Sequence, residues 1–442
     1  MKNAFTKLDH FPATPGKRLL AAVTLATMAS CALAEDPDLD YLTQEAVIPG
    51  DSEEDQLEAA ELAEALARKA RYLATGVPPP VPAALSGNPS DPTFVFVGYA
   101  DEATEADVAD MEARMELELT QPMSRAELAS LSQTIYDQSS LGLLVNSVGE
   151  TWRWRPSSLS VLLPDPNATE DAPVNPSGID DDPPPLPQTR VGIIGSDNRQ
   201  MRSKVSGHNM TAYPWNTIGA LNPDGQSSNS PSPRCTATKI GPRHLLTAGH
   251  CVWTGGAGGA KRLRDWWRGQ DGLDQTINGG DPSPNGYKNI WWYWVAPGWY
   301  DHGWASQDYA VLMLYDNQDS ANIGTLGLKV DNTLAGTSAW NFGYPGSANE
   351  CANSPLANNL CGKSMWGMSA NITRTEVPYL FFKHDVQKGH SGSAIYQIAN
   401  NLRYIVGVAT TTYSSIENRG VKIRKVVFDN IQAVKNNWPS SF

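Results

Sequence analysis

The sequence predicts an all-β protein that ends in a helix, and three observations carry this. Short apolar runs recur at residues 216–221, 235–240, 310–314, 338–342 and 404–409, with Gly, Pro, Asn and Asp between them, as in β-barrels. The 37 glycines and 32 prolines supply turns on a scale that suits strands better than helices. Residues 423–437 change period: Val426, Val427, Ile431 and Val434 recur at helical spacing and predict a terminal helix. A hydrophobic share of 40% is enough for a buried core, and 442 residues allow two or three domains.

Three regions follow from composition. Residues 1–34 read as a secretory signal peptide: Lys17 and Arg18 precede the apolar stretch Leu19–Leu33, and Ala32-Leu33-Ala34 fits a small-x-small cleavage site. That stretch is short for a membrane span, and no other run of its length lacks charges. No transmembrane segment is therefore expected, and the protein is expected to be secreted, extracellular or periplasmic. Residues 35–190 hold 30 acidic and 8 basic side chains, a net of −22, whereas residues 191–442 hold 16 and 22, a net of +6. An acidic front is thus joined to a mildly basic back, and the two can attract or the front can simply be solvated.

Within the front, residues 53–72 predict a helix. Leu57, Leu62, Leu66 and Tyr72 share a face, acids lead and bases follow. The run Val77–Pro82 breaks it with four prolines. Residues 94–97 predict a strand and 105–119 an acidic helix with Met111 and Met115. Residues 141–145 and 159–163 are further apolar runs. Residues 164–188, rich in Pro and Asp, read as a solvated linker. The expectation is an acidic, mixed or partly disordered N-terminal region that acts as a propeptide and possible intramolecular inhibitor. Residues 190–195, Arg-Val-Gly-Ile-Ile-Gly, resemble an activation junction, a basic residue followed by an apolar new N-terminus, at the end of a linker that is readily cut.

Three segments of the chain carry chemistry. Residues 388–396 read Lys-Gly-His-Ser-Gly-Ser-Ala-Ile-Tyr and put Ser391 on a tight turn between Gly389 and Gly392. A serine hydroxyl is a poor nucleophile without a base, and its oxyanion needs backbone N–H groups that glycine turns can expose. Residues 244–252, His-Leu-Leu-Thr-Ala-Gly-His-Cys-Val, offer His250 as that base, and residues 307–314, Gln-Asp-Tyr-Ala-Val-Leu-Met-Leu, offer Asp308 to orient it. Asp301 is the rival of Asp308 and Ser393 the rival of Ser391. Asp301 lacks a following core strand, and Ser393 lacks glycines on both sides.

Taken in chain order, these segments resemble the three signatures of the chymotrypsin-like (trypsin-like) serine proteases. The Gly-Ser-Ala after the serine resembles the mainly bacterial, glutamyl-endopeptidase-like branch. The resemblance implies two six-stranded antiparallel β-barrels with the active site between them and a helix last. It also implies His250, Asp308 and Ser391 as a catalytic triad, with the N–H groups of Gly389 and Ser391 as the oxyanion hole. Two departures stand out. Where trypsins carry an Asp before the nucleophile to pair with a freed N-terminal amine, this chain has His390. Where glutamyl endopeptidases place a His and a Thr or Ser for glutamate, it has Ala409 and Val386, so glutamate specificity does not carry over. Asp385, six before Ser391, stands where trypsins bind Lys or Arg, although an Asp here is also a structural feature of the bacterial branch.

Cys31 leaves with the signal, and Cys235, Cys251, Cys351 and Cys361 remain, an even set in an exported protein. Four cysteines allow three pairings. The resemblance implies Cys235–Cys251 as a staple of the histidine loop, leaving Cys351–Cys361 as a local loop. Their spacing does not suit zinc. The tryptophans at 266, 267, 291, 292, 294, 299 and 304 are expected to be buried in the first barrel and its loops.

The expectation is a serine endopeptidase (residues 191–442) acting on protein or peptide substrates, with no cofactor, metal or nucleic acid. The alternative is a secreted non-catalytic binding protein on the same fold. An α/β-hydrolase esterase would place the serine before the other two residues.

Overall fold

The computed structural model describes residues 53–86, 90–120, 142–155, 167–174, 199–202, 209–223, 235–256, 258–261, 263–269, 287–315, 323–345, 364–412 and 417–437. The signal peptide, Arg190, Val191, Cys351 and Cys361 lie outside them. The chain forms two compact units, residues 1–91 with 96–99, and residues 92–95 with 100–442.

The first unit contains helix α1 (Glu53–Thr75) and a short α2 (Ala83–Ser86). The predicted helix over 53–72 is present and runs three residues further. It stops at Gly76, whose φ of +66° suits only glycine without strain. Tyr72 packs its ring against Phe96 and Tyr99, with centroids 5.1 and 5.6 Å away. Strand β1 (Phe94–Tyr99) begins in the second unit and ends in the first.

The second unit carries helix α3 (Glu105–Thr120) and strands β2 (Gly142–Asn146), β3 (Glu150–Trp154), β4 (Glu170–Asp171), β5 (Gln200–Met201), β6 (Ile218–Pro223), β7 (Cys235–Lys239), β8 (His244–Thr247), β9 (Leu263–Arg268), β10 (Tyr287–Val295), β11 (Ala310–Leu314), β12 (Gly327–Lys329), β13 (Ser338–Gly343), β14 (Trp366–Glu376), β15 (Tyr379–Phe382), β16 (Ala394–Ala399), β17 (Leu402–Thr412) and β18 (Asn418–Lys422). Helix α4 (Pro297–His302) precedes β11, and α5 (Lys425–Asn437) ends the fold.

Strands β6 to β11 run in the order β10-β11-β8-β7-β6-β9, and β9 pairs back onto β10, which closes a six-stranded antiparallel barrel. Strands β13 to β18 close a second, in the order β13-β14-β15-β18-β17-β16, because β16 pairs with both β17 and β13. Strands β7, β8 and β11 are buried at every position, and β11, Ala-Val-Leu-Met-Leu, reads as a continuous apolar run rather than an alternating one. The second core gathers Leu334, Ala339, Ile372, Leu380, Phe382, Val386, Ile395, Val406 and Ala409. Helix α5 buries Val427, Ile431 and Val434 of the predicted face, with Phe428 in place of the half-buried Val426.

The tryptophan-rich stretch largely packs inside. Trp266, Trp292, Trp294 and Trp299 are at most 1% exposed. Trp266 fits because its neighbour in the next strand is Gly219: a Cβ there would lie 2.2 Å from the indole nitrogen. Trp304 is partly exposed and stacks on His302 at 4.2 Å.

The front half enters both sheets. β2 pairs with β10, from Asn146 opposite Trp292 to Leu143 opposite Val295, and its three central residues are fully buried. β4, inside the expected linker, pairs with β12, which itself runs parallel to β17. The acids there meet bases of the back half: Asp171 with Lys435, and Glu170 with Lys329 at 4.0 Å. A composition rich in Pro and Asp reads as solvated, and a two-residue strand held by edge pairing leaves no periodic trace.

Candidate active site

The register of β8 and β11 builds the first part of the site. Thr247 lies opposite Ala310, so the chain leaving β8 and the chain entering β11 meet at one end of the barrel. His250 stands three residues beyond Thr247, in a 3-10 turn (Gly249–Cys251). Asp308 stands two before Ala310, at the end of another (Ala305–Gln307). Asp308 is 0% exposed and grips the histidine twice. Its Oδ1 accepts the backbone N–H of His250 at 2.7 Å, and its Oδ2 lies 2.8 Å from His250 Nδ1. Two contacts to one carboxylate fix both the position and the rotation of the imidazole. A proton on Nδ1 leaves Nε2 free to accept. Gly249 makes room: a Cβ would sit 2.8 Å from Trp299 Cδ1 and 3.1 Å from Asp308 Oδ1. The Cys235–Cys251 disulfide ties the residue after the histidine to the start of β7.

The serine turn is two consecutive tight turns leading into β16. His390 N–H donates to Gln387 O at 2.9 Å, and Ser393 N–H donates to His390 O at 2.9 Å. Gly389 and Gly392 take the third position of each, with φ of +98° and +84°. That is the geometry of a type II turn and it selects glycine. Among the described residues, no acceptor meets the N–H of Gly389 or of Ser391.

Two threonines of the first barrel hold this turn in place. Thr236 N–H donates to Ser391 O at 2.8 Å, and Thr236 Oγ1 donates to Gly389 O at 2.8 Å. Thr247 Oγ1 bonds Thr236 O and would be 2.1 Å from a Cβ at Gly392. Neither threonine is marked by sequence reasoning. Thr236 sits in an ordinary strand segment, and only the meeting of the two barrels gives it a role.

The rivals are engaged elsewhere. Asp301 Oδ1 pairs with Arg153 at 2.8 Å. Ser393 is fully buried and its Oγ accepts from Asn341 Nδ2 at 2.7 Å. The pocket candidates are all interior: Asp385 is 1% exposed, while Val386 and Ala409 belong to the second core. Ala409 also backs the serine turn, accepting from Gly392 N–H at 2.8 Å. His384 is fully buried with Nε2 2.8 Å from Ala339 O, and burial pushes its pKa down to about 4. Burial, and next the Arg199 charge, hold His390 well below the ordinary range as well. Burial thus favours the neutral form of both rings. Cys235, His250 and Cys251 cluster within 4.8 Å, but the two sulfurs are already bonded to each other.

The family model for trypsin matches residues 204–431. The glutamyl endopeptidase of Bacillus licheniformis is 27% identical over 267 residues, 59% of this chain and 72% of the relative. A relative named extracellular metalloprotease, from Bacillus subtilis, is 24% identical over 245 residues, 54% of this chain and 68% of the relative. A solved Glu endopeptidase in complex with MPD is 27% identical, with a TM-score of 0.45, covering 55% of this chain and 99% of its own. A thermostable serine protease, AL20, from an extremophilic microorganism is 15% identical with a TM-score of 0.39, covering 50% and 99%.

Two antiparallel barrels with a serine turn held against a histidine loop make this a double-barrel serine hydrolase. The chain belongs to the trypsin family, and it is a serine endopeptidase.

Proposed function

We propose that the endopeptidase works through Ser391, His250 and Asp308, and that it is secreted as a precursor with an acidic front. The observation that carries the triad is the double grip of Asp308 on His250, through the backbone N–H at 2.7 Å and Nδ1 at 2.8 Å. His250 Nε2 takes the proton of Ser391 as the hydroxyl oxygen attacks the peptide carbonyl. The N–H groups of Gly389 and Ser391 receive the oxyanion, a contribution of about 3–4 kcal/mol per donor. The imidazolium, stabilised by Asp308, then returns the proton to the departing amine. Water, deprotonated by the same histidine, releases the acyl group and restores the serine.

A propeptide role for residues 35–190 has its own support. Helix α3 reaches both loops of the site. Arg114 donates to Thr254 O at 3.0 Å, just beyond His250, and Glu112 pairs with Lys388 at 3.4 Å, three before Ser391. A helix lying on those two loops is suited to obstruct a substrate. The pairing of β2 with β10 supports a second task, assisting the barrel to fold. Among the described residues no helix is long and apolar enough to cross a membrane. Secretion rests on the sequence of residues 1–34 and on the extracellular relative. The glutamate preference of the glutamyl endopeptidase is not carried over, since Val386 and Ala409 offer no polar group to a carboxylate.

Casein digestion by the secreted protein, compared with Ser391→Ala, tests the triad: activity should vanish in the variant, and its persistence would refute Ser391 as nucleophile. N-terminal sequencing of the active protein tests the precursor. A start at Val191 is expected, and full activity in a chain starting near Glu35 would refute it.

A further inference from the structure

Against the turn that carries the proposed oxyanion donor Gly389 lies a buried guanidinium that the proposed triad does not use. Arg199 is 5% exposed. Its Nη2 donates to Gln387 Oε1 at 2.6 Å, and its Nη1 lies 3.5 Å from His390 Nδ1. Gln387 and His390 are the first and last residues of the tight turn whose interior is Lys388-Gly389, and the turn's own bond joins the same two residues. One planar cation therefore spans both ends of the turn.

The supporting partners are equally specific. His390 Nε2 lies 3.2 Å from Trp366 O, so a neutral ring donates there and presents Nδ1 as an acceptor to Arg199. A charged ring could not do both, and the low pKa of His390 agrees with the neutral form. The ring is also wedged in place, since a Cβ on Gly343 would stand 2.9 Å from its Cδ2. Arg199 is delivered by β5, which pairs with β14 through Met201 opposite Trp366, and Arg202 N–H donates to Met365 O at 2.9 Å. Trp366 thus anchors both the strand that brings Arg199 and the histidine that Arg199 meets.

We propose that Arg199 is a positioning residue for the oxyanion hole, acting through Gln387 and His390 to hold the N–H of Gly389 toward the reacting carbonyl. This rests on the proposed roles of Gly389 and Ser391. A rigid fork of N–H donors fits two acceptors at once, and lysine, with a single ammonium, cannot reproduce it.

The test compares the wild-type full chain with Arg199→Ala, Arg199→Lys and Gln387→Leu. The readouts are kcat and KM on a peptide substrate chosen by library digest, and the rate of reaction with a fluorophosphonate. Arg199→Ala should lose about 100-fold in kcat with KM little changed, since a displaced oxyanion donor acts only in the transition state. Added methylguanidinium should restore part of that loss, and Arg199→Lys should fall between. A folded Arg199→Ala with the wild-type kcat, or an equal loss spread into KM with no rescue, would overturn the proposal. If Arg199→Ala fails to fold, Gln387→Leu decides: its kcat should fall at least about fivefold, and an unchanged kcat would overturn it. A wild-type protein that reacts with neither substrate nor phosphonate would instead sink the triad reading, and this inference with it.

Discussion

At the scale of single residues, geometry makes sharper demands than the motifs do. Asp308→Asn should retain the fold yet lose about 10⁴-fold in kcat, because the amide stabilises the wrong imidazole tautomer. Measured kcat within tenfold of wild type would mean that Asp308 does not orient His250. Gly392→Ala places a methyl group 2.1 Å from Thr247 Oγ1 at a φ of +84°. It should displace the serine turn and lower activity about 100-fold. A peptide assay and a melting curve check this together. The proposed triad can be read from sequence because its signals are local: a serine between glycines, a histidine in Thr-Ala-Gly-His-Cys, an aspartate ahead of a core strand. Thr236, Arg199 and Gln387 cannot be, because each acts on a segment more than a hundred residues away or through a turn that only the fold completes.

At the scale of elements, the site is held by the joints between strands. The β8–β11 register brings His250 and Asp308 together, and the disulfide ties the histidine turn back to β7. That bond closes a loop with a sequence separation of 16. Replacing both cysteines by serine should cost about 3 kcal/mol in denaturant unfolding, the loop-entropy value for such a span. A change under 1 kcal/mol would show that the barrel holds the turn unaided. Helices α1, α3 and α5 lie where the periodicity predicts them, and Leu66, Met111, Met115, Val427, Ile431 and Val434 of the predicted faces are buried. β4 carries no such signal, since two residues paired at a sheet edge have no period to read. β2 is legible only in part: the apolar run at 141–145 marks a buried segment without saying whose sheet it joins.

At the scale of the whole molecule, charge and burial shape the response to acid. His384 has a folded pKa of about 4 against an ordinary 6.5. The unfolded chain therefore takes up a proton first as pH falls, and stability is lost between about pH 6.5 and pH 4. The loss from this group is on the order of 3 kcal/mol, and His390 adds to it in the same direction. His384→Gln, which keeps a donor for Ala339 O, should flatten that limb of a stability-versus-pH curve. An unchanged slope would exclude His384 as its source. The acidic front and basic back meet through pairs such as Asp171–Lys435 and Glu170–Lys329. Their opposite net charges were plain in composition, but the specific pairs depend on the folded sheets.

The most direct measurement is mapping of a fluorophosphonate adduct on the secreted protein by peptide mass spectrometry. One adduct on Ser391, absent in Ser391→Ala and slowed in Asp308→Asn, is the expected result. An adduct on Ser393 or elsewhere, or no adduct on a protein that still cleaves peptides, would contradict the triad.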